Sequence, residues 1–370
     1  MKRFGAALSA SVRMAALAGA LCGCLRPSEE RAEADERVGI SNTPSLQLVV
    51  EDGHAVVRAA ERERIELWAS APRLVLNLGF PGGPPAELGV EIHNCMPNAT
   101  LEGGRGATLL ASERSDAGVC SFRIALDAQV NGFRLGFAPP GSDQPSAFRF
   151  ALLSDVQEAI THVQDIYTLL NAQPDVDFLL GAGDLTERGT VAQLQRFQRE
   201  LEQLHIPYYT TLGNHELGQN PTLFHDYFGR GNQSFEYRGV RFSLIDSASA
   251  TVDPIVFGWL DEWLAAGRDQ LHVVAMHIPP LDPFGVRNGA FASRSEAAKL
   301  LARLAGGGVD LTLYGHIHSY YHFDNAGMPA YISGGGGAIP ERFDQIGRHF
   351  LVVDADAEAQ RLDVRLVRVD

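Results

Sequence analysis

A chain of 370 residues with 45% hydrophobic and 21% charged side chains is globular and too long for one ordinary core, so two domains are expected. Its net charge of −14 repels a phosphate backbone and excludes a DNA- or RNA-binding scaffold. A metal site on such a chain can still draw in a single phosphate, because the ions dominate the nearby field.

In chain order, residues 1–24 read as a lipoprotein signal peptide. Lys2, Arg3 and Arg13 precede an apolar run from Met14 to Leu21 that is too short to span a bilayer. The run closes in Leu21-Cys22-Gly23-Cys24, which resembles a bacterial lipobox with Cys24 as the lipidated residue; ordinary signal cleavage nearby is the alternative. The expected location is therefore exported and lipid-anchored at the bacterial envelope, on the periplasmic side or the cell surface. The membrane would be touched only through the lipid at Cys24. Residues 25–45 are charged, carry Pro27 and Pro44, and read as a flexible tether. Cys95 and Cys120 are then left as an even pair in an exported domain, where a disulfide or two buried thiols both fit.

Residues 46–140 read as an all-β sandwich. Short apolar or alternating runs stand at 46–50, 55–59, 65–68, 74–78, 90–93, 119–126 and 132–137, with turn residues such as Asp52-Gly53 and Asn131-Gly132 between them. Pro139-Pro140-Gly141-Ser142-Asp143 marks a linker. From 146 to 370 the pattern becomes α/β. Strands are expected at 148–153, 178–181, 208–212, 240–245, 271–276 and 311–314, and again at 350–353 and 364–367. Helices are expected between the first two strands and at 190–204, 257–266 and 293–305.

Polar, metal-capable residues follow five of these strands directly. They are Asp155 and Gln157, Gly183-Asp184, Gly213-Asn214-His215-Glu216, His277, and Gly315-His316-Ile317-His318. Ligands of an open α/β sheet gather at the carboxyl ends of its strands, so five loops can converge on one crevice. Carboxylates and imidazoles without cysteine suit Mn, Fe or Zn. Glycine before Asp184, Asn214 and His316 permits tight turns and close backbone approach to an anionic ligand. Any one of these motifs is common; the five in this order are specific.

That order resembles the calcineurin-like metallophosphoesterase signature D-x-H, G-D, G-N-H-D/E, H, G-H-x-H, over about residues 150–335. The resemblance implies two β-sheets flanked by helices and a binuclear metal centre. Asp155, residue 157, Asp184 and His318 would hold the first metal; Asp184, Asn214, His277 and His316 would hold the second, with Asp184 bridging. Two cations would activate a bridging water as hydroxide for in-line attack on a phosphate ester, and His215 would protonate the leaving oxygen as general acid. Gln157 departs from the pattern, which usually has His there; its carbonyl is a neutral and weaker ligand. His162 is a possible substitute, with an exposed helical position as the plainer reading.

Glu216 or Asp246 is expected to orient a ligand histidine, or simply to be solvated. Gly334–Gly337 reads as a flexible loop beside the site, His322 as a residue close behind the last motif that could line a pocket wall, and Arg188 and Arg287 as loop cations. The phrasing around Asp184 and His277 resembles cyclic-nucleotide phosphodiesterases, so a phosphodiesterase is favoured. The alternative is a phosphomonoesterase like the acid phosphatases. The preceding β-domain resembles that of the purple acid phosphatases, yet no tyrosine follows Asp184 closely. A surface binding protein with a degenerate metal site is the reading from another class.

Overall fold

A computed structural model describes residues 28–218, 220–285, 289–341 and 345–370. The signal segment with Cys22 and Cys24 lies outside them, as does Arg287. Among the described residues no helix is long and apolar enough to cross a membrane.

The first element is α1 (Ser28–Arg37). Ten strands follow: β1 (Ile40–Asn42), β2 (Gln47–Val50), β3 (Ala55–Ala60), β4 (Arg64–Ala69), β5 (Leu74–Gly79), β6 (Glu87–His93), β7 (Thr100–Glu102), β8 (Ala107–Arg114), β9 (Cys120–Leu126) and β10 (Gly132–Ala138). They build two five-stranded sheets, in the orders β1-β2-β5-β10-β7 and β3-β4-β6-β9-β8. One core lies between them, filled by Leu48, Leu76 and Leu135 from the first sheet and Leu67, Val90 and Phe122 from the second. Along β6 and β9 every second residue is buried, the period-two pattern that directs one face inward. Cys95 and Cys120 are joined in a disulfide.

The remaining strands are β11 (Ala147–Leu153), β12 (Val176–Ala182), β13 (Tyr208–Thr211), β14 (Gln233–Tyr237), β15 (Val240–Ile245), β16 (Leu271–Met276), β17 (Leu311–Tyr314), β18 (Tyr320–Asn325), β19 (Met328–Ser333), β20 (His349–Asp356) and β21 (Arg361–Arg368). The helices among them are α2 (Gln164–Asn171), α3 (Val191–Leu201), α4 (Leu223–Phe228), α5 (Pro254–Ala266) and α6 (Arg294–Gly306). One sheet has the order β13-β12-β11-β20-β21 and the other β14-β15-β16-β17-β19-β18. The strands that lead to the motifs run parallel: β11 to β12, β12 to β13, β15 to β16 and β16 to β17.

An aromatic core between the sheets, including Phe150, Phe178, Phe235 and Phe242, locks them face to face. Leu170, Phe197 and Phe224 bring α2, α3 and α4 onto the outer face of one sheet, and Leu260 and Leu300 bring α5 and α6 onto that of the other. The layers run helix, sheet, sheet, helix. Capping side chains fix where the helices begin: Thr190 accepts from the Gln193 N–H, Asp253 from Ile255 and Ser293 from Glu296.

The tether expected at 25–45 is corrected over its described part. Ser28–Arg37 is a docked helix, followed directly by β1. Arg31 and Asp35 stand one helical turn apart on one face and are fully buried. The Arg31 guanidinium pairs with Asp246 at 2.6 Å. Asp35 accepts from the Gly231 N–H at 2.7 Å, the Asn232 side chain at 2.8 Å and His225 at 3.0 Å. Charges that read as solvated in the sequence find partners some two hundred residues on.

A candidate metal centre at the strand ends

The carboxyl ends of β11, β12, β13, β16 and β17 meet at one place, and Asp184 lies at its middle. Its Oδ2 is 3.2 Å from His277 Nε2 on one side and 2.8 Å from Gln157 Nε2 on the other. Asn214 Oδ1 stands 3.1 Å from His277 Nε2, and the His316 ring lies 5.1 Å from the His277 ring. On the far side His318 Nε2 is 3.2 Å from Gln157 Nε2 and 3.4 Å from Asp155 Oδ1. All seven residues expected as ligands are brought together.

The backbone is bent to reach this arrangement. Asp155, Gln157, Asp184 and His316 all have left-handed φ, of 63°, 46°, 52° and 70°. Each such residue costs about 1–3 kcal/mol and persists where the surroundings over-determine it, as at functional sites. Glycine is needed beside them for contact between loops. A Cβ on Gly213 would strike Asp184, and one on Gly315 would strike Ser154 and Asp155.

The donors are aimed by carbonyls. His277 Nδ1 is bonded to Ala182 O at 2.7 Å and His318 Nδ1 to Ile339 O at 2.7 Å, so each presents Nε2 to the crevice. His215 Nδ1 bonds Glu187 O at 2.7 Å, and its Nε2 lies 3.8 Å from Asp184 Oδ2.

The electrostatics call for a cation. Burial would raise the Asp184 carboxyl, but His277 and His215 beside it hold it well below the ordinary range. Burial would lower His277, yet Asp184 and Asp155 pull it up to about 9. A proton thus sits where the carboxylates favour positive charge. His316, half-buried and facing His277, is lowered to about 4 by desolvation and by His277 beside it. Ligand atoms of Asp184, His277 and His316 lie within 4.8 Å of one another, so the set fits a divalent metal. A second group of this kind, Glu66, Glu91 and His93, lies on the N-terminal sheets.

Residues 148–320 match the family described as calcineurin-like phosphoesterase. A calcineurin-like metallophosphoesterase domain is present there. A 3',5'-cyclic-nucleotide phosphodiesterase of Nostoc sp. is 29% identical over 163 residues, 40% of this chain and 58% of that protein. The chain thus spans less than two thirds of that relative's length. Among solved structures, a purple acid phosphatase from yellow lupin seeds aligns with a TM-score of 0.53 at 15% identity, over 80% of this chain and 70% of that one. A dimetal phosphatase from Danio rerio aligns with a TM-score of 0.44 at 14% identity, over 61% of this chain and all (100%) of that one.

Within the phosphoesterase domain several expectations change. Glu216 orients no histidine. Buried, it accepts from the Gly213 N–H, the Thr186 N–H and the Thr186 hydroxyl, and so ties the loop after β13 to the loop after β12. Burial, with Asp184 nearby, raises its carboxyl to about 7. Asp246 is occupied by Arg31. Gly334–Gly336 are buried, and a Cβ on Gly334 or Gly336 would meet Ile317, Ser154 or Asp155, so this run is a packed wall. His162 and Arg188 are exposed, and His322 is exposed and stacked on Tyr331 at 4.4 Å. The orienting carbonyls of Ala182 and Ile339 escaped the sequence, because a carbonyl carries no residue type.

Proposed function

We propose that this protein is a metal-dependent hydrolase of phosphate esters with a binuclear centre. The observation that carries the reading is Asp184 Oδ2, which has donors of two separate groups on its two sides, His277 with Asn214 and Gln157 with His318. Asp155, Gln157, Asp184 and His318 would hold one ion, and Asp184, Asn214, His277 and His316 the other. Bound cations supply Lewis acidity toward a phosphoryl oxygen and acidify water at neutral pH. The chain's part is to hold the donors still. Gln157 presents a terminal amide, whose oxygen is the end suited to a cation. His215, held through Nδ1 by Glu187 O, keeps Nε2 for donation to a leaving oxygen.

Two ester classes are carried. Phosphatase is the word in the name of the lupin structure, and it favours the phosphomonoesterase that was the alternative in sequence. At such identity the likeness speaks for fold, so it only orders the assay. The Nostoc relative's name keeps the phosphodiesterase as the second reading. Mn, Fe and Zn all suit the donors. Export and a lipid anchor at Cys24 remain part of the proposal, resting on the first 24 residues alone.

The test is turnover of 4-nitrophenyl phosphate and bis(4-nitrophenyl) phosphate by the purified chain with added Mn. Metal-dependent hydrolysis is expected, abolished by chelation and lowered on the order of a thousandfold in Asp184→Asn, since the lost ions supply several kcal/mol. No turnover of either ester with Mn, Fe or Zn would replace the enzyme with a surface binding protein.

A further inference from the structure

The two sheets at the N-terminal end carry a second group of metal-type donors. Strands β4 and β6 pair in parallel, with Glu66 opposite Glu91 and Trp68 opposite His93. Ile65, Leu67, Val90 and Ile92 point into the core, so Glu66, Trp68, Glu91 and His93 stand on the other face. There His93 Nε2 lies 3.2 Å from Glu66 Oε1 and 3.3 Å from Glu91 Oε1. That nitrogen is shielded from solvent and faces both carboxylates. The outer oxygens are taken: Arg64 Nη2 is 2.8 Å from Glu66 Oε2 and 3.3 Å from Glu91 Oε2.

From these contacts we propose that Glu66, Glu91 and His93 form a zinc-type divalent cation site, separate from the phosphoesterase centre. The spacing is the first argument. Ligands about 2.0–2.1 Å from a tetrahedral ion stand about 3.4 Å from each other, close to the two separations seen. The second is the aim of His93 Nε2, which points between two carboxylate oxygens and faces both at close range. The third is the outer support. Arg64 grips the far oxygens of both carboxylates and fixes the near ones, as groups behind metal ligands do.

The site has room for a fourth ligand. His93 also lines a cavity of about 340 Å³ between this sheet and α3, from which water can complete the set. Trp68 stacks on His93 at 6.4 Å and meets Phe228 of α4 at 5.9 Å, so an ion held here would stiffen the contact between the sheets and the phosphoesterase domain.

The experiment counts zinc in the full-length chain after equilibrium dialysis, with His93→Gln, Glu91→Gln and the unsubstituted protein side by side, and follows thermal unfolding with and without zinc. Both variants are expected to lose one equivalent of zinc and part of the zinc-dependent rise in Tm, while turnover of nitrophenyl esters stays within about twofold. An unchanged zinc count in variants that still unfold cooperatively overturns the site. A variant that does not fold is replaced by Glu66→Gln, to which the same criterion applies. Because zinc is counted directly, the site stands or falls whether or not the chain hydrolyses any ester.

Discussion

The two groups of metal-type donors are built in opposite ways. The centre around Asp184 takes its residues from five loops, each at the end of a different strand, and holds them with strained backbone and borrowed braces. The group around His93 takes its residues from two adjacent strands, and their pairing register does the holding. A loop-built centre can gather many ligands and leave room for a substrate, but it depends on distant elements to stay in shape. A strand-built one is rigid and small.

The largest effect expected from this contrast comes from α1. Arg31 pairs with Asp246, and the next residue, Ser247, accepts the Ile278 N–H beside His277. Arg31→Met leaves Asp246 buried without its partner, which costs about 3–5 kcal/mol. Urea unfolding should show that loss, and nitrophenyl ester turnover should fall with it. Zinc bound at the strand-built group should not change once the folded fraction is allowed for. A loss under about 1 kcal/mol would mean that α1 is a passenger and that the loops brace themselves.

The contrast also explains what could be read in the sequence. The strands leading to the centre were legible because each is a buried apolar run that ends in a polar motif, as Val273–Met276 ends in His277. Asp184, His277 and His316 were legible for that reason. Glu66, Glu91 and His93 were not, since i, i+2 spacing in a half-buried strand looks like an ordinary solvent face until the register is known. Strand β8 was missed because its residues are mostly exposed and barely alternate. Helix α1 was missed because Arg31 and Asp35 find their partners only in the folded chain.

Reduction of Cys95–Cys120 should act on the other side of the comparison. Cys95 lies two residues beyond His93, and the bridge closes a separation of 25 residues. Opening such a loop costs about 3 kcal/mol in the chain-entropy account. Thermal unfolding of Cys95→Ala/Cys120→Ala should show a drop of that order and weaker zinc binding at Glu66, Glu91 and His93. Turnover by the folded protein should hold. Equal loss of turnover would show that the two parts of the molecule unfold together.

The smallest effect separates the two kinds of buried histidine on a single strand. His277 ends β16 among carboxylates and is raised, whereas His272 lies near its start, with Ser243 at 2.8 Å and Arg241 nearby. Burial, aided by Arg241, lowers the His272 imidazole from 6.5 to about 4. As pH falls from about 6.5 to about 4 the unfolded chain takes up a proton that the folded chain refuses. The stability contributed by this residue is therefore full above pH 6.5 and drains away through that window, by up to about 3 kcal/mol. Urea midpoints between pH 7 and pH 4 should show a steeper fall for the unsubstituted chain than for His272→Gln. Matching slopes would place the acid sensitivity elsewhere.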